Sequence, residues 1–301
     1  KLKDINAPMM KKWQNGLAEN YSNAYIRNIY GLFQKSLDLA VKLGLLNKNV
    51  AKQVGNVKKQ KKKIDFWTQK EFEKVISTFD ISDYYEHYTF IIIWLLFMTG
   101  LRLGEAQALE WTDINFEDKT LTVSKSMYYK SANEFYVTEP KTRAGNRTIA
   151  LDDVTISYLA EWKSVQGRNV VSKYVLSYNG LPTNKSTTKH IIERHSKLAG
   201  VHTIKTHALR HSHASLLISL GENAIVVRDR LGHEDVETTL GTYGHLYPNT
   251  NKEVAKKLNN LISVQKDDTI KRNFISNQFV KNRQSGCNNI SLDCEEKEWD
   301  S

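Results

Sequence analysis

Four segments of the chain carry side chains suited to phosphate chemistry. In Thr99-Gly100-Leu101-Arg102-Leu103-Gly104-Glu105 an arginine follows a glycine break, and a carboxylate three residues on shares its helical face, where it can hold the guanidinium. In His207-Ala208-Leu209-Arg210 the i to i+3 spacing sets an imidazole and a second guanidinium on one face, with Leu209, Leu216 and Leu217 on the buried side. Leu231-Gly232-His233 closes a helix and leads to Thr242-Tyr243-Gly244-His245-Leu246-Tyr247-Pro248. Lys141 sits in the turn Glu139-Pro140-Lys141-Thr142-Arg143. Taken singly, each is ordinary: a surface ion pair, a helix cap, a half-buried tyrosine, a solvated lysine. His207 and His211, four apart, also raise a zinc reading. The glutamate of a zinc-protease helix is absent, position 208 being alanine, and no cysteine or acid cluster completes a set, so no metal is expected.

These residues need a scaffold of helices. Leu2 to Leu17 reads as one helix, with Ile5, Met9, Trp13 and Leu17 four apart, and Ala24 to Leu43 as another, stopped by Gly44. Thr68 with Glu71 three later is a capping box for a helix to about Phe79. Tyr85–Thr99 is a strongly apolar helix broken by Gly100, and Leu103–Leu109 resumes. The period then changes. Thr120–Lys125, Glu134–Thr138 and Arg147–Leu151 alternate as the three strands of one small antiparallel sheet. Helices follow at about 153–165, 186–199, 207–220, 224–231, 236–243 and 251–264, with a short strand near 174–177. The fold class is mainly α with a small antiparallel β-sheet.

The 301 residues suit about two domains. Forty per cent apolar and 25 per cent charged residues exclude a largely disordered chain, and two cysteines exclude a disulfide scaffold and suit a reducing cytosol. The longest apolar run, Tyr88–Met98, is too short for a membrane span and reads as a core helix. Lysine and arginine number 43 against 33 acidic residues, a net +10. Residues 1–65 hold 14 basic and four acidic side chains, so the whole surplus lies in the first fifth of the chain. A basic module joined to a near-neutral body points to a polyanion such as nucleic acid. The run Lys58, Lys59, Gln60, Lys61, Lys62, Lys63 is too charged to bury and marks a linker.

In this order, the set Arg102, Lys141, His207-x-x-Arg210, His233, Tyr243 resembles the catalytic domain of the tyrosine recombinases, the phage-integrase family, over about residues 66–250. The likeness is nearest to integrases of temperate phages and conjugative transposons of Gram-positive bacteria. It implies a helical, SAM-like core-binding domain over 1–57, a basic linker over 58–65, an α+β catalytic domain over 66–265, and a tail, 266–301, that docks on another subunit. The family's small N-terminal arm-binding domain is not seen, and the chain starts at Lys1, so it reads as a fragment. Tyr243 would be the nucleophile, leaving a 3′-phosphotyrosine and a free 5′-hydroxyl. Arg102 and Arg210 would grip the non-bridging oxygens, His207 and His233 would hydrogen-bond them, and His207 would receive the tyrosine's proton. Lys141 would protonate the departing 5′-oxygen, and Glu105 would orient its neighbours. Tyr247 competes as nucleophile, but Tyr243 has the family's distance from His233, and Pro248 constrains Tyr247. Lys58, Lys59, Lys61, Lys62 and Lys63 would contact DNA. The likeness further implies no cofactor, double-stranded DNA as partner, a homotetramer on DNA, and an excisionase or host DNA-bending protein as candidate accessories. The setting would be the bacterial cytoplasm, on the nucleoid when DNA is bound. A type IB topoisomerase and a non-catalytic DNA-binding regulator are the alternatives.

Overall fold

The computed structural model describes residues 1–59, 64–131, 134–140, 142–247, 255–256 and 258–259. Two compact units divide the chain, Lys1–Leu246 and Tyr247–Ser301. Most of the expected helix at 251–264, and all of the tail 266–301, lie outside the described residues.

The first helix, α1 (Ala7–Asn20), starts later than the spacing suggests, because Asn6 caps it by accepting from the Met9 amide and Pro8 sits in its first turn. Its buried face is Met10 and Gln14, one residue round from the expected Met9 and Trp13, and Met9 is exposed. Ser22 caps α2 (Asn23–Lys42), which buries Ile26, Tyr30, Leu37 and Ala40 while Leu32, Leu39 and Leu43 stay in solvent. A short helix not read from the sequence, α3 (Val50–Val54), completes this module. Its Ala51 carbonyl accepts from the Tyr30 hydroxyl at 2.9 Å. Met10, Tyr30, Leu37 and Ala51 form a small core separate from the larger one.

The larger core surrounds α5 (Tyr84–Thr99), which is buried on nearly every side. Each fully buried Ile, Leu or Phe there contributes about 1.5–3 kcal/mol, so α5 is the post on which the other helices hang. The Thr68–Glu71 capping box opens α4 (Gln69–Ile76), which ends three residues earlier than expected. Phe72 of α4 stacks on Phe97 of α5 at 3.6 Å between centroids. After α6 (Leu103–Ala108) come two sheets where the sequence suggests one. The strands β1 (Ile114–Asn115), β2 (Thr120–Val123) and β5 (Arg147–Ala150) form one antiparallel sheet, with Leu121 opposite Ile149. The other is a hairpin of β3 (Ser126–Ser131) and β4 (Glu134–Thr138), in which Tyr128 faces Tyr136 and the rings stack at 4.9 Å. β4 therefore pairs with a strand the alternation did not single out. That hairpin is mostly exposed, so its burial pattern leaves a weak trace in the sequence.

The remaining helices are α7 (Asp153–Asn169), α8 (Lys185–Leu198), α9 (Ala208–Ser219), α10 (Ala224–Leu231) and α11 (Val236–Tyr243). Near 174–177 there are isolated bridges, Glu110 with Tyr174 and Ser177 with Pro182, instead of a strand. Among the described residues no helix is long and apolar enough to cross a membrane.

Gly100 closes α5 at φ +65°, where a side chain costs about 1–2 kcal/mol, and a Cβ there would come within 2.7 Å of both His213 and Leu231. Gly100→Ala should destabilise the protein by about 2–4 kcal/mol, seen as a fall of several degrees in melting temperature. Gly31→Ala, on an open face of α2 with nothing within 4 Å, should leave melting unchanged or slightly raised. Equal melting of the two variants would contradict this packing.

Candidate active site

Two helix ends organise the site. α5 and α10 both terminate in left-handed glycines, Gly100 and Gly232, and the last carbonyls of a helix have no partner within it. Arg210, in the first turn of α9 and 2% exposed, supplies that partner to both. Its Nη1 donates to the Gly100 carbonyl at 2.8 Å and its Nη2 to the Leu231 carbonyl at 2.6 Å. The negative ends of two helix dipoles thus hold a buried cation. Burial, and then the Arg102 charge, push the Arg210 pKa down to about 9, which leaves it cationic at neutral pH. Arg102 is anchored on the next carbonyl of the same turn, its Nη2 donating to Gly232 at 3.2 Å. Gly232 sits at φ +67°, and a Cβ there would come within 2.7 Å of the Ala144 carbonyl.

Glu105 faces Arg102 as the spacing suggests. One carboxylate oxygen accepts from Arg102 Nη1 at 2.7 Å and the other from the Arg102 backbone amide at 2.9 Å. Its second ion pair is with Arg147 of β5, whose Nη2 donates at 3.0 Å. Burial works to raise the Glu105 pKa. The Arg147 hydrogen bond and charge, then the Arg102 contacts, outweigh it and hold the carboxyl below its ordinary value. Arg147 also donates through Nε to the Arg230 carbonyl and through Nη1 to Gly145, tying β5 to the end of α10. Arg147 carries no mark in the sequence beyond being the arginine that opens a short strand.

The imidazoles come from three places. His207, the N-cap of α9, is open to solvent on one side; the protein packed around the rest of it, then the Arg210 and Arg102 charges, lower its pKa. His233 follows Gly232 directly, and its Nδ1 is paired with the Thr239 hydroxyl of α11 at 2.8 Å, which leaves Nε2 for a substrate oxygen. Burial and the Arg210 charge take its pKa to about 4. Tyr243 is the last residue of α11 and 1% exposed. Its hydroxyl pairs with Nδ1 of His211 at 2.7 Å, a residue that the sequence reading noted without giving it a role, rather than with His207. Burial raises the Tyr243 pKa to about 12 although the Arg210 charge lowers it. Releasing that proton to water at pH 7 would cost about 7 kcal/mol, so any attack by this oxygen must transfer its proton as it proceeds.

Arg102, Glu105, His207, Arg210, His233 and Tyr243 are therefore brought together around the ends of α5, α10 and α11. Lys141, Lys61, Lys62 and Lys63 lie outside the described residues, and Lys58 and Lys59 are exposed. Tyr247, the competing nucleophile, opens the second unit. Among the described residues no group of three or more His, Cys, Asp or Glu gathers to hold a metal.

The fold is similar to that of DNA-bound integrases of known structure. It superposes on the Tn1549 transposon integrase in complex with a circular intermediate DNA at TM-score 0.71, with 20% identity and 86% of each chain covered. On a lambda integrase dimer bound to a core site the TM-score is 0.56, with 18% identity, 79% of this chain and 82% of that one covered. In sequence, the chain is 35% identical to the ICEBs1 integrase of Bacillus subtilis over 249 residues, which are 80% of this chain and 67% of that protein. It is 26% identical over 241 residues to a tyrosine recombinase of Thermosipho africanus, covering 80% and 76%. Residues 65–250 match the phage integrase family. The helical body with its small sheets thus has the integrase fold. The chain belongs to the phage integrase family, the tyrosine recombinases of phages and mobile elements.

Beneath the site, His213 is 2% exposed and accepts from Arg230 Nε at 3.1 Å, a bond that requires a neutral ring. Burial and the Arg230 charge take its pKa to about 3. The unfolded chain, with a pKa near 6.5, takes up protons first. The stability that His213 contributes is therefore complete above about pH 6.5 and is lost as pH falls towards 3, about 2 kcal/mol of it by pH 5. His211 and His233, both taken to about 4, act in the same direction. Melting temperature should fall from pH 7 to pH 5, and His213→Asn should flatten part of that slope. A wild-type protein melting equally at both would contradict the buried neutral imidazoles.

Proposed function

We propose that this integrase cleaves and rejoins duplex DNA through a covalent 3′-phosphotyrosine formed by Tyr243. The observation that carries the residue assignment is the placement of the Tyr243 hydroxyl, out of solvent, against an imidazole of the same chain and within the field of the Arg210 charge. Attack by Tyr243 Oη forms a P–O bond as the bond to the 5′-oxygen breaks, and the phosphotyrosine keeps the energy needed for rejoining. Arg210 and Arg102 each spend two donors on the scaffold and retain others of their five for the non-bridging oxygens. Donors fixed in advance where charge accumulates are worth about 10²–10³ in rate each. His233 offers Nε2 and His207 an exposed ring to the same phosphate. Lys141 is assigned to protonate the 5′-oxygen, and Glu105, through Arg102 and Arg147, to hold the forks in register.

Residues 1–57 are assigned to a core-binding domain, 58–65 to a linker that brings Lys58, Lys59, Lys61, Lys62 and Lys63 against phosphates, 66–265 to the catalytic domain, and 266–301 to docking on a neighbouring subunit. Two domains joined by a basic linker suit a clamp on the duplex in which lysines position the protein without reading sequence. The working unit is proposed to be a homotetramer on DNA in the bacterial cytoplasm, assisted by an excisionase or a DNA-bending protein. The family match favours strand exchange over the strand-by-strand religation of a type IB topoisomerase, and the filled set of site positions argues against a non-catalytic regulator.

A duplex nicked beside the crossover site should trap a covalent protein–DNA adduct with the wild type and none with Tyr243→Phe. Arg210→Lys, which keeps charge but loses the fork, should bind DNA within about threefold of wild type and cleave about 10²-fold more slowly or less. An adduct with Tyr243→Phe, or unimpaired cleavage by Arg210→Lys, would overturn the assignment.

A further inference from the structure

Seven side chains have assigned roles; His211 has none, yet among the described residues it is the one hydrogen-bonded to the attacking atom. It follows Arg210 on α9 and lies one helical turn after His207, whose ring it meets edge-on at 5.0 Å between centroids and 84°. From there its Nδ1 reaches the Tyr243 hydroxyl at 2.7 Å, the only hydrogen bond that this hydroxyl makes among the described residues. The two rings meet at 64° with centroids 5.6 Å apart, so the contact runs through Nδ1 at the ring edge and not through a stacked face. His207 makes no hydrogen bond to the hydroxyl among the described residues. Among the described residues, a proton leaving Tyr243 therefore has one basic atom within a hydrogen bond's length.

We propose that His211 is a further catalytic residue, the group that takes the phenolic proton of Tyr243 as it attacks the scissile phosphate and gives it back on rejoining. This rests on Tyr243 being the nucleophile. In the forward step the Oη–H bond breaks and the proton goes to His211 Nδ1. Oη bonds to phosphorus, the bond from phosphorus to the 5′-oxygen breaks, and that oxygen is protonated by the acid assigned at Lys141. In the reverse step the 5′-hydroxyl returns its proton to that group, attacks phosphorus, and Tyr243 departs with the proton held on His211.

The charges around His211 couple this transfer to DNA. Burial, then His207 and the Arg210 cation, hold the imidazole neutral in the free protein, its pKa at about 4, while the phenol keeps its proton. A phosphate seated on Arg210 brings a negative charge that offsets this repulsion and favours the imidazolium. The nucleophile is thereby silent until substrate arrives.

The test is single-turnover adduct formation on the nicked duplex by wild type, Tyr243→Phe, His211→Asn and His211→Ala, with DNA affinity and melting measured alongside. Asparagine can keep an acceptor near the Nδ1 position but cannot take a proton, which separates holding the hydroxyl from receiving its proton. His211→Asn should bind DNA as wild type does and cleave about 10²–10³-fold more slowly. A 5′-bridging phosphorothiolate, whose leaving group needs no acid, should not restore that loss but should restore the loss in Lys141→Ala. Cleavage by His211→Asn within about threefold of wild type, or its rescue by the phosphorothiolate, overturns the proposal. Should His211→Asn melt far below wild type, added imidazole decides: acceleration of His211→Ala supports it, and no response counts against it. An adduct absent from wild type or present in Tyr243→Phe would instead strike the assignment of the nucleophile itself.

Discussion

The site depends on a buried guanidinium that closes two helices at once. Arg210 occupies the space where the carbonyls of Gly100 and Leu231 would otherwise lack partners, and leaving two such groups unpaired would cost about 1–3 kcal/mol each. The stability of the fold and the position of a reactive cation are therefore the same hydrogen bonds. Arg102 repeats the device one residue further on, at Gly232. Both glycines adopt left-handed backbone, and in both a Cβ would strike neighbours that belong to the site or support it.

The same burial sets the resting chemistry. It lowers the imidazoles of His211 and His233, raises the phenol of Tyr243, and tolerates Arg210 only because helix ends and Glu105 oppose the cost. Positive charge gathered without its anion favours neutral histidines and disfavours closer approach of the two guanidinium groups. On the proposed mechanism a phosphodiester would supply the missing negative charge, so binding and activation of Tyr243 would draw on a single electrostatic imbalance. The near neutrality of residues 66–265, against the surplus confined to residues 1–65, fits this division: bulk charge for holding a polyanion, a few fixed cations for one phosphate.

Local patterns were the legible part of this protein. The His207-x-x-Arg210 spacing, the glycine breaks at 100 and 232, the Thr68–Glu71 box and the unbroken apolar run of α5 each write a structural fact into a few adjacent residues. What lay hidden depends on residues distant in the chain or on a choice between near neighbours. Arg147 meets Glu105 across 42 positions, with nothing in either local sequence to pair them. His211 and His207 share a helix, and only the approach of α11 decides which imidazole Tyr243 meets. The exposed β3–β4 hairpin lacks the buried alternation that marks a strand, so one sheet was expected where two form. In α1 the stripe through Met9 and Trp13 was as regular as the one through Met10 and Gln14; the packing of α3 against it selects the second.

The central claim is that the helix-end carbonyls hold the arginines in their working positions before DNA arrives. A structure of the Tyr243→Phe variant on a duplex containing the crossover site tests it most directly. The expected result is a phosphate whose non-bridging oxygens bond to Arg210 and Arg102 while Arg210 remains on the Gly100 and Leu231 carbonyls and the substituted ring stays beside His211. A phosphate reached only after Arg210 leaves those carbonyls, or held without it, would contradict the account.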